Sequence, residues 1–337
     1  MEVWSGIDVS KSFFDASWVD PEAGLENFQK IPHAQFEHSQ AGVRQYVRWL
    51  QQQGGSTASV RVVMEATGRY SLELQVWLVA EQASLSPAIV NPKQAKHFHQ
   101  SLGLRNKTDQ VDCRSLGLMG QARRPHPYEP LSPEYQRLRA LMRQRRDLIT
   151  TRVGEQQRLR ELPKGRCPVR SVVQSHLRHL TKLVGRIDRA IDGLLKGSPQ
   201  LAQDLALLKT IPGVGRIVAL TVLAELGDLR RFNRSRQVSA MAGISPYNHQ
   251  SGVSTPWSHL DRNGHAEARS VLYMGALAAT RGSAQNNLAR TYHHLIDDND
   301  KCKKQALVAV GRKILVIMRA LLITQQPYID DFATTAS

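Results

Sequence analysis

The apolar residues of this 337-residue chain keep one rhythm as far as about residue 125 and another beyond it. In the first stretch, short apolar runs alternate with helically spaced ones. GIDVSK leads through a turn into FFDASWV, which reads as a strand hairpin. QAGVRQYVRWLQQQ (40–53) has helical spacing, VRVVMEA is a buried strand, SLELQVWLVAEQ (71–82) is a second helix and SPAIVN a third apolar strand. The pattern predicts an α/β domain over 1–125. A hairpin followed by strand, helix and strand, with an acid on the first strand, is what an RNase H-like domain requires.

From about Ser132 the period is helical. Val173, Leu177, Leu180, Val184, Ile187, Ile191 and Leu194 recur at spacings of 4 and 3, an a/d seam, and Leu138, Leu141, Leu148, Leu159 and Leu162 follow a rougher version of it. Pro163, Gly165 and Pro168 interrupt the two. The spacing predicts two long helices over 132–196, a coiled-coil segment folded as a hairpin or paired with another protomer. A mostly helical third domain follows over 200–325. It opens with LLKTIPGVGRIVALTVLAEL, where Gly213 and Gly215 between apolar runs form the pattern of a helix-hairpin-helix that offers backbone N–H groups to a phosphate. AEARSVLYMGALAATRG (266–282) and KKQALVAVGRKILVIMRALLI (303–323) read as amphipathic helices, and AGISPYNHQSGVSTPWSHLDRNGHAEAR (242–269) as a loop between helices.

Charge narrows the class. Forty-five Lys and Arg against twenty-nine Asp and Glu give a formal +16, a balance that points to a polyanion, most often nucleic acid. Residues 131–200 hold sixteen Lys and Arg against six Asp and Glu, so the middle segment carries most of the excess. Arg137, Arg139, Arg143, Arg145 and Arg146 crowd its first helix and are candidates for phosphate contact. No apolar window approaches the roughly 20 residues of a membrane span, no basic amphipathic helix marks a terminus, and the N-terminus does not read as a signal peptide. Three cysteines without a CxxC pair support neither disulfides nor zinc, so a bacterial cytoplasm is the expected home.

The chemistry sits in four carboxylates. Asp8 follows the run that opens the first strand, Glu65 ends the strand VRVVME, and Asp109 and Asp112 in KTDQVD share a face if their segment is helical. Hard oxygen ligands of this kind suit Mg²⁺ or Mn²⁺ in phosphodiester chemistry. In 242–269, Ser251-Gly252 with Arg262 and Arg269 downstream would let a hydroxyl face a phosphate neutralised by guanidinium groups, although Ser245, Ser254 and Ser258 are equally plain serines by composition. The spacings in KHFHQ (His97, His99) and His293-His294 do not suit a metal. Asp15 is expected at the surface of the hairpin, and Asp297, Asp298 and Asp300 in solvent.

GIDVSK, EATGRY, KTDQVD, IPGVG, AGISPYNHQSG and RNGHAEARSVLY, in this order over nearly the whole chain, resemble the DEDD transposases of the IS110 family, which includes the Piv-type DNA invertases. The resemblance implies a RuvC-like domain whose acids are Asp8, Glu65, Asp109 and Asp112. It also implies a C-terminal transposase domain in which Pro246-Tyr-Asn-His-Gln-Ser251-Gly252 identifies Ser251 as the nucleophile. It implies a covalent phosphoserine intermediate, strand exchange between donor and target DNA, and a structured noncoding guide RNA. A homo-oligomer, dimer or tetramer, is expected, with a site composed between domains or protomers. Cys113 stands where the family usually has alanine. The alternatives are a RuvC-like junction nuclease that cleaves with water, and a catalytically silent nucleic-acid-binding protein.

Overall fold

The alternating runs of the first third close into one sheet. The computed structural model describes residues 2–54, 60–104, 108–165, 168–249, 257–260, 263–281 and 286–330. Strands β1 (Val3–Val9), β2 (Phe13–Ser17), β3 (His33–Glu37), β4 (Val60–Glu65) and β5 (Ala88–Val90) lie in the order β3-β2-β1-β4-β5. The hairpin is there: β1 pairs with β2, and β2 with β3, antiparallel. β4 runs parallel to β1, and β5 to β4. β3 escaped the sequence reading, being short and mostly polar.

Alternation along β1 sends its side chains to two different cores. Ile7 and Val9 face α1 (Gln40–Gly54) and α2 (Arg69–Glu81), in a cluster with Phe14, Tyr46, Met64, Leu74 and Leu78. Trp4 faces the opposite side, packed with Val63, Val90, Leu116 and Met119 under α3 (Pro92–Ser101) and α4 (Asp109–Arg123). Gly6 and Asp8 follow the parity of Trp4 and so belong to the α4 face.

The chain divides into two compact units at Pro130/Leu131. In the second, α5 (Pro133–Glu161) and α6 (Pro168–Gly197) pack antiparallel, tied by Arg145 to Asp188 at 2.7 Å and by Arg170 to the Leu159 carbonyl at 3.1 Å. The seam of α6 lies within this pair: Val173, Leu180, Val184 and Ile191 are buried. At their base Leu138, Met142 and Ile191 join a core shared with α7 (Pro199–Leu208), α8 (Arg216–Leu226), α9 (Ser235–Ala242), α10 (Ala266–Ala279), α11 (Asn287–Asp297) and α12 (Lys303–Thr324). The pattern separates 132–196 from 200–325, whereas one core serves both. The stretch 242–269, expected as a loop, contains an antiparallel ribbon of β6 (Pro246–His249) and β7 (Trp257–Leu260), whose backbone groups satisfy one another.

Candidate active site

Three elements deliver the four acids. Ile7 pairs with Met64, so Asp8 and Glu65 follow side by side at the carboxyl ends of parallel strands, where open α/β sheets place their sites. Asp109 and Asp112 occupy the first turn of α4, whose N-cap Thr108 accepts from the Val111 amide. The helix N-terminus favours the negative charge there.

Close approach of α4 to the sheet brings the two pairs together. A Cβ on Gly6 would lie 2.1 Å from the carbonyl oxygen of Cys113 and 2.2 Å from the amide of Gly117. Only hydrogen fits between strand and helix. Ser17 Oγ seals this contact, accepting from the Gly6 amide at 3.2 Å and donating to the Cys113 carbonyl at 2.8 Å. Behind it, buried Arg114 donates from Nε to the Ile31 carbonyl at 2.9 Å and reaches Gln29 and His33, anchoring α4 to the loop before β3. Cys113 is fully buried, and burial pushes its thiol up. It is a packing residue.

The electrostatics register the convergence. The Asp8 carboxyl is pushed up to about 6, first by burial and then by the charges of Asp112, Asp109, Glu65 and Asp15. Asp15 stands directly across from Asp8 in the β1–β2 register and is 7% exposed, accepting from Gln35 Nε2 at 3.0 Å. The expectation that Asp15 is a surface residue fails because α4 covers that face, a packing event remote in sequence. Among the described residues no three His, Cys, Asp or Glu side chains already stand as a ready-made ion cage. The donor chemistry nonetheless fits a hard divalent cation: the acids are carboxylate oxygens on one edge, and their mutual repulsion at Asp8 is what a cation would relieve. His99 on α3, given no role by its spacing, lies with Nδ1 3.4 Å from Asp112 Oδ1.

In the second unit the candidates divide. Ser251 and Arg262 lie outside the described residues. Arg269 Nη1 approaches the Ala242 carbonyl at 3.3 Å, at the end of α9. Arg139 donates to the carbonyls of Ala224 and Glu225 at 2.9 and 2.7 Å. Arg143 grips the Glu225 carboxylate with two bonds, at 2.9 and 2.8 Å, and Arg146 meets Glu267 at 2.6 Å and Asp147 at 2.9 Å. Arg145 is bound to Asp188. Four of the five arginines thus have partners within the unit, and exposed Arg137 does not share those contacts. Gly213, in left-handed conformation, turns into the core rather than outward: a Cβ there would fall 2.2 Å from the Gly275 carbonyl. Gly215, N-cap of α8, has open space beside it.

Glu225 and His265 form a pairing that no motif announced. The Glu225 side chain is 4% exposed and its Oε2 lies 3.1 Å from His265 Nδ1. Burial pushes this carboxyl up, but the hydrogen bonds from Arg143 and His265 and the charges of Arg143 and Arg139 outweigh it, and the net value falls to about 2. Glutamate and histidine lie 40 residues apart, so only the packing of α10 on α8 reveals them.

A family model for DEDD transposases of the IS110 type, described as "Transposase", matches residues 5–168, and one described as "Transposase IS116/IS110/IS902 family" matches 205–294. The chain is similar to the pilin gene-inverting protein of Moraxella bovis, 29% identical over 328 residues that cover 97% of this chain and 98% of the relative. The Moraxella lacunata protein of the same name matches to the same extent. The transposase for insertion sequence element IS1111A of Coxiella burnetii is 24% identical over 352 residues, covering 96% and 90%.

Proposed function

Because this chain is an IS110-family DNA transposase or recombinase, we propose that Asp8, Glu65, Asp109 and Asp112 hold Mg²⁺ or Mn²⁺ and that Ser251 is its nucleophile toward DNA. The observation that carries the first half is the gathering of strand and helix acids around Asp8 through the glycine contact at Gly6. The strand order β3-β2-β1-β4-β5, with its first three strands antiparallel, supports an RNase H-like reading of the sheet. A divalent cation bound there neutralises phosphate charge and polarises the P–O bonds.

The chain's own residues do the rest in this reading. The acids orient the scissile phosphate, and the Ser251 hydroxyl attacks it to leave a phosphoserine and a free 3′-hydroxyl. Reversal after strand exchange rejoins DNA without loss of bond energy. Phosphate contact falls to Arg137, Arg262, Arg269 and the backbone at the N-terminus of α8 beside Gly215, since Arg139 and Arg143 are engaged with Glu225. Aromatic residues make up 6% of the chain, which favours backbone contact over base stacking and suits a protein whose sequence reading is delegated to a guide RNA.

A nicked suicide substrate tests the serine. Wild type should yield a covalent protein–DNA adduct, and Ser251→Ala and Asp8→Asn none; cleavage by Ser251→Ala at the wild-type rate would establish a water-using nuclease instead. Mixing those two variants asks whether protomers share the site, with recovered activity expected. RNA sequenced from the purified protein tests the guide, and a discrete species is expected.

A further inference from the structure

A carboxylate that ligates a cation must hold its plane, and the groups that hold it stand one layer out from the ligands. The first unit carries one buried nitrogen in that position. His99 Nδ1 is shut off from solvent and, among the described residues, has no hydrogen-bond partner. It lies 3.4 Å from Asp112 Oδ1, longer than an ordinary hydrogen bond, and the two side chains are 16% and 20% exposed. A buried polar atom without a partner is destabilising and calls for an explanation. This one stands against an acid of the candidate site.

The α3 helix fixes the ring there. It starts directly after β5, with Asn91 as N-cap accepting from the Lys93 amide at 2.9 Å and Pro92 in its first turn. Ala95, four residues before His99, is buried, and Phe98 and Leu102 pack into the same cluster as Leu116 and Met119 of α4. Spacings of four and three put Ala95, His99 and Leu102 on one face of the helix. The imidazole therefore sits in an otherwise apolar seam, against the first turn of α4. His97, two residues earlier, falls on the exposed side. An apolar side chain at position 99 would fill the seam without stranding a nitrogen.

We propose that His99 is the positioning residue of Asp112: its Nδ1–H donates to Oδ1, fixes the plane of the carboxylate and leaves the remaining lone pairs for the cation. The inference rests on Asp112 being a ligand. A ligating carboxylate is deprotonated and only accepts hydrogen bonds, so the hydrogen between the two side chains belongs to Nδ1. Either charge state of the ring supplies it. A shift of about 0.4 Å brings the pair to ordinary hydrogen-bond length. Engaging Asp112 with a cation thereby satisfies a donor that the fold alone leaves stranded, and α3 becomes part of the support of the acid site.

Mn²⁺ titrations of the full-length protein, read by calorimetry and by the EPR signal of the free ion, test this against simple packing. His99→Leu and His99→Met fill the seam without a donor. Both should melt with wild type yet bind Mn²⁺ about 10–100 times more weakly, and Mn²⁺ should raise their melting temperatures less. His99→Asn keeps an amide donor close to the place of Nδ1 and should stay within about threefold of wild type. On an Asp112→Asn background, His99→Leu should cost nothing further. Binding by His99→Leu and His99→Met within about threefold of wild type overturns the proposal. So do equal losses in His99→Leu and His99→Asn, or a His99→Leu loss that persists undiminished on Asp112→Asn. The reading beneath fails separately: Asp112→Asn that binds Mn²⁺ as wild type does removes Asp112 from the ligands and the proposal with it, whereas a weakened Asp112→Asn beside an unchanged His99→Leu removes only the role of His99.

Discussion

Gly6→Ala separates the contact that builds the acid site from the acids themselves. The added methyl would stand 2.1 Å from the Cys113 carbonyl oxygen and 2.2 Å from the Gly117 amide, whereas ordinary contact begins at 3.4 Å. Both are backbone atoms of α4, so no rotamer relieves the overlap. The helix must retreat by about 1 Å, or β1 must bend. Ser17 Oγ, which now spans the Gly6 amide and the Cys113 carbonyl, loses one of them when they part. Overpacking costs about 1–3 kcal/mol and the lost hydrogen bond about 1 kcal/mol, together about 2–4 kcal/mol. In a unit of this size that lowers the melting temperature by about 10 °C. Ligands tolerate displacements of only about 0.2 Å, and Asp109 and Asp112 ride on the retreating helix, so Mn²⁺ affinity should fall at least about tenfold. Thermal melts and calorimetric Mn²⁺ titrations read both effects. Gly117→Ala presses on the same contact from the helix side, because its Cβ would meet the buried Val19 and Ser17 side chains at 2.4 and 2.9 Å, and should act in the same direction. A Gly6→Ala protein that melts within about 2 °C of wild type and binds Mn²⁺ unchanged would refute the idea that this contact sets the site.

Other outcomes follow from the same contacts. Glu225 titrates below its usual 4.5, at about 2, because Arg143 and His265 overcome its burial, so its contribution is complete above pH 4.5 and drains away as pH falls toward 2. At about 1.4 kcal/mol per unit the shift is worth ~3 kcal/mol, or about 2 after allowing for the half-exposed Arg143. Urea titrations of Glu225→Gln should show that loss at pH 7 and a smaller one at pH 3; an equal loss at both would contradict it. Asp8 titrates above its usual 3.8, at about 6, so a cation must displace its proton below that value. Mn²⁺ affinity should be level above pH 6 and fall by up to about tenfold per unit beneath it, and a flat profile from pH 7.5 to 5 would count against Asp8 as a ligand. The metal-free protein should conversely lose stability as pH rises from 3.8 to 6 through this group. Arg114→Met strands the Ile31 carbonyl and should destabilise the first unit by about 2 kcal/mol in thermal melts, with Mn²⁺ affinity reduced as α4 loosens.

Much of the first unit was legible because its signals are local. Short apolar runs name β1, β2, β4 and β5, and acids at strand ends and three residues apart in KTDQVD stand out as candidate ligands without any packing argument. Asp15 was misread because its burial depends on α4, which arrives almost a hundred residues later: Ser17, two positions on, bonds Cys113 across 96 residues. The arginines of α5 illustrate the converse. A run of positive charge reads in sequence as open to phosphate, but Arg139, Arg143 and Arg146 share the helix face that meets α8 and α10, and Glu225, the partner of Arg139 and Arg143, is 82 residues from Arg143. Gly213 shows the same limit, since a turn glycine facing phosphate and one pressed on Gly275 read alike until α10 is in place.

The antiparallel pair of α5 and α6 also has a length that can be edited. Its base is anchored by Leu138, Met142 and Ile191, while residues nearer the 162–167 end rely on the partner helix, as Val173 and Leu180 do. Because the seam repeats every seven residues, deleting one heptad from each helix beyond the anchors would shorten the arm by about 10 Å and restore the same interdigitation. The arm is in effect a ruler with seven-residue graduations, and a set of such variants would measure how far its tip must reach for recombination to proceed.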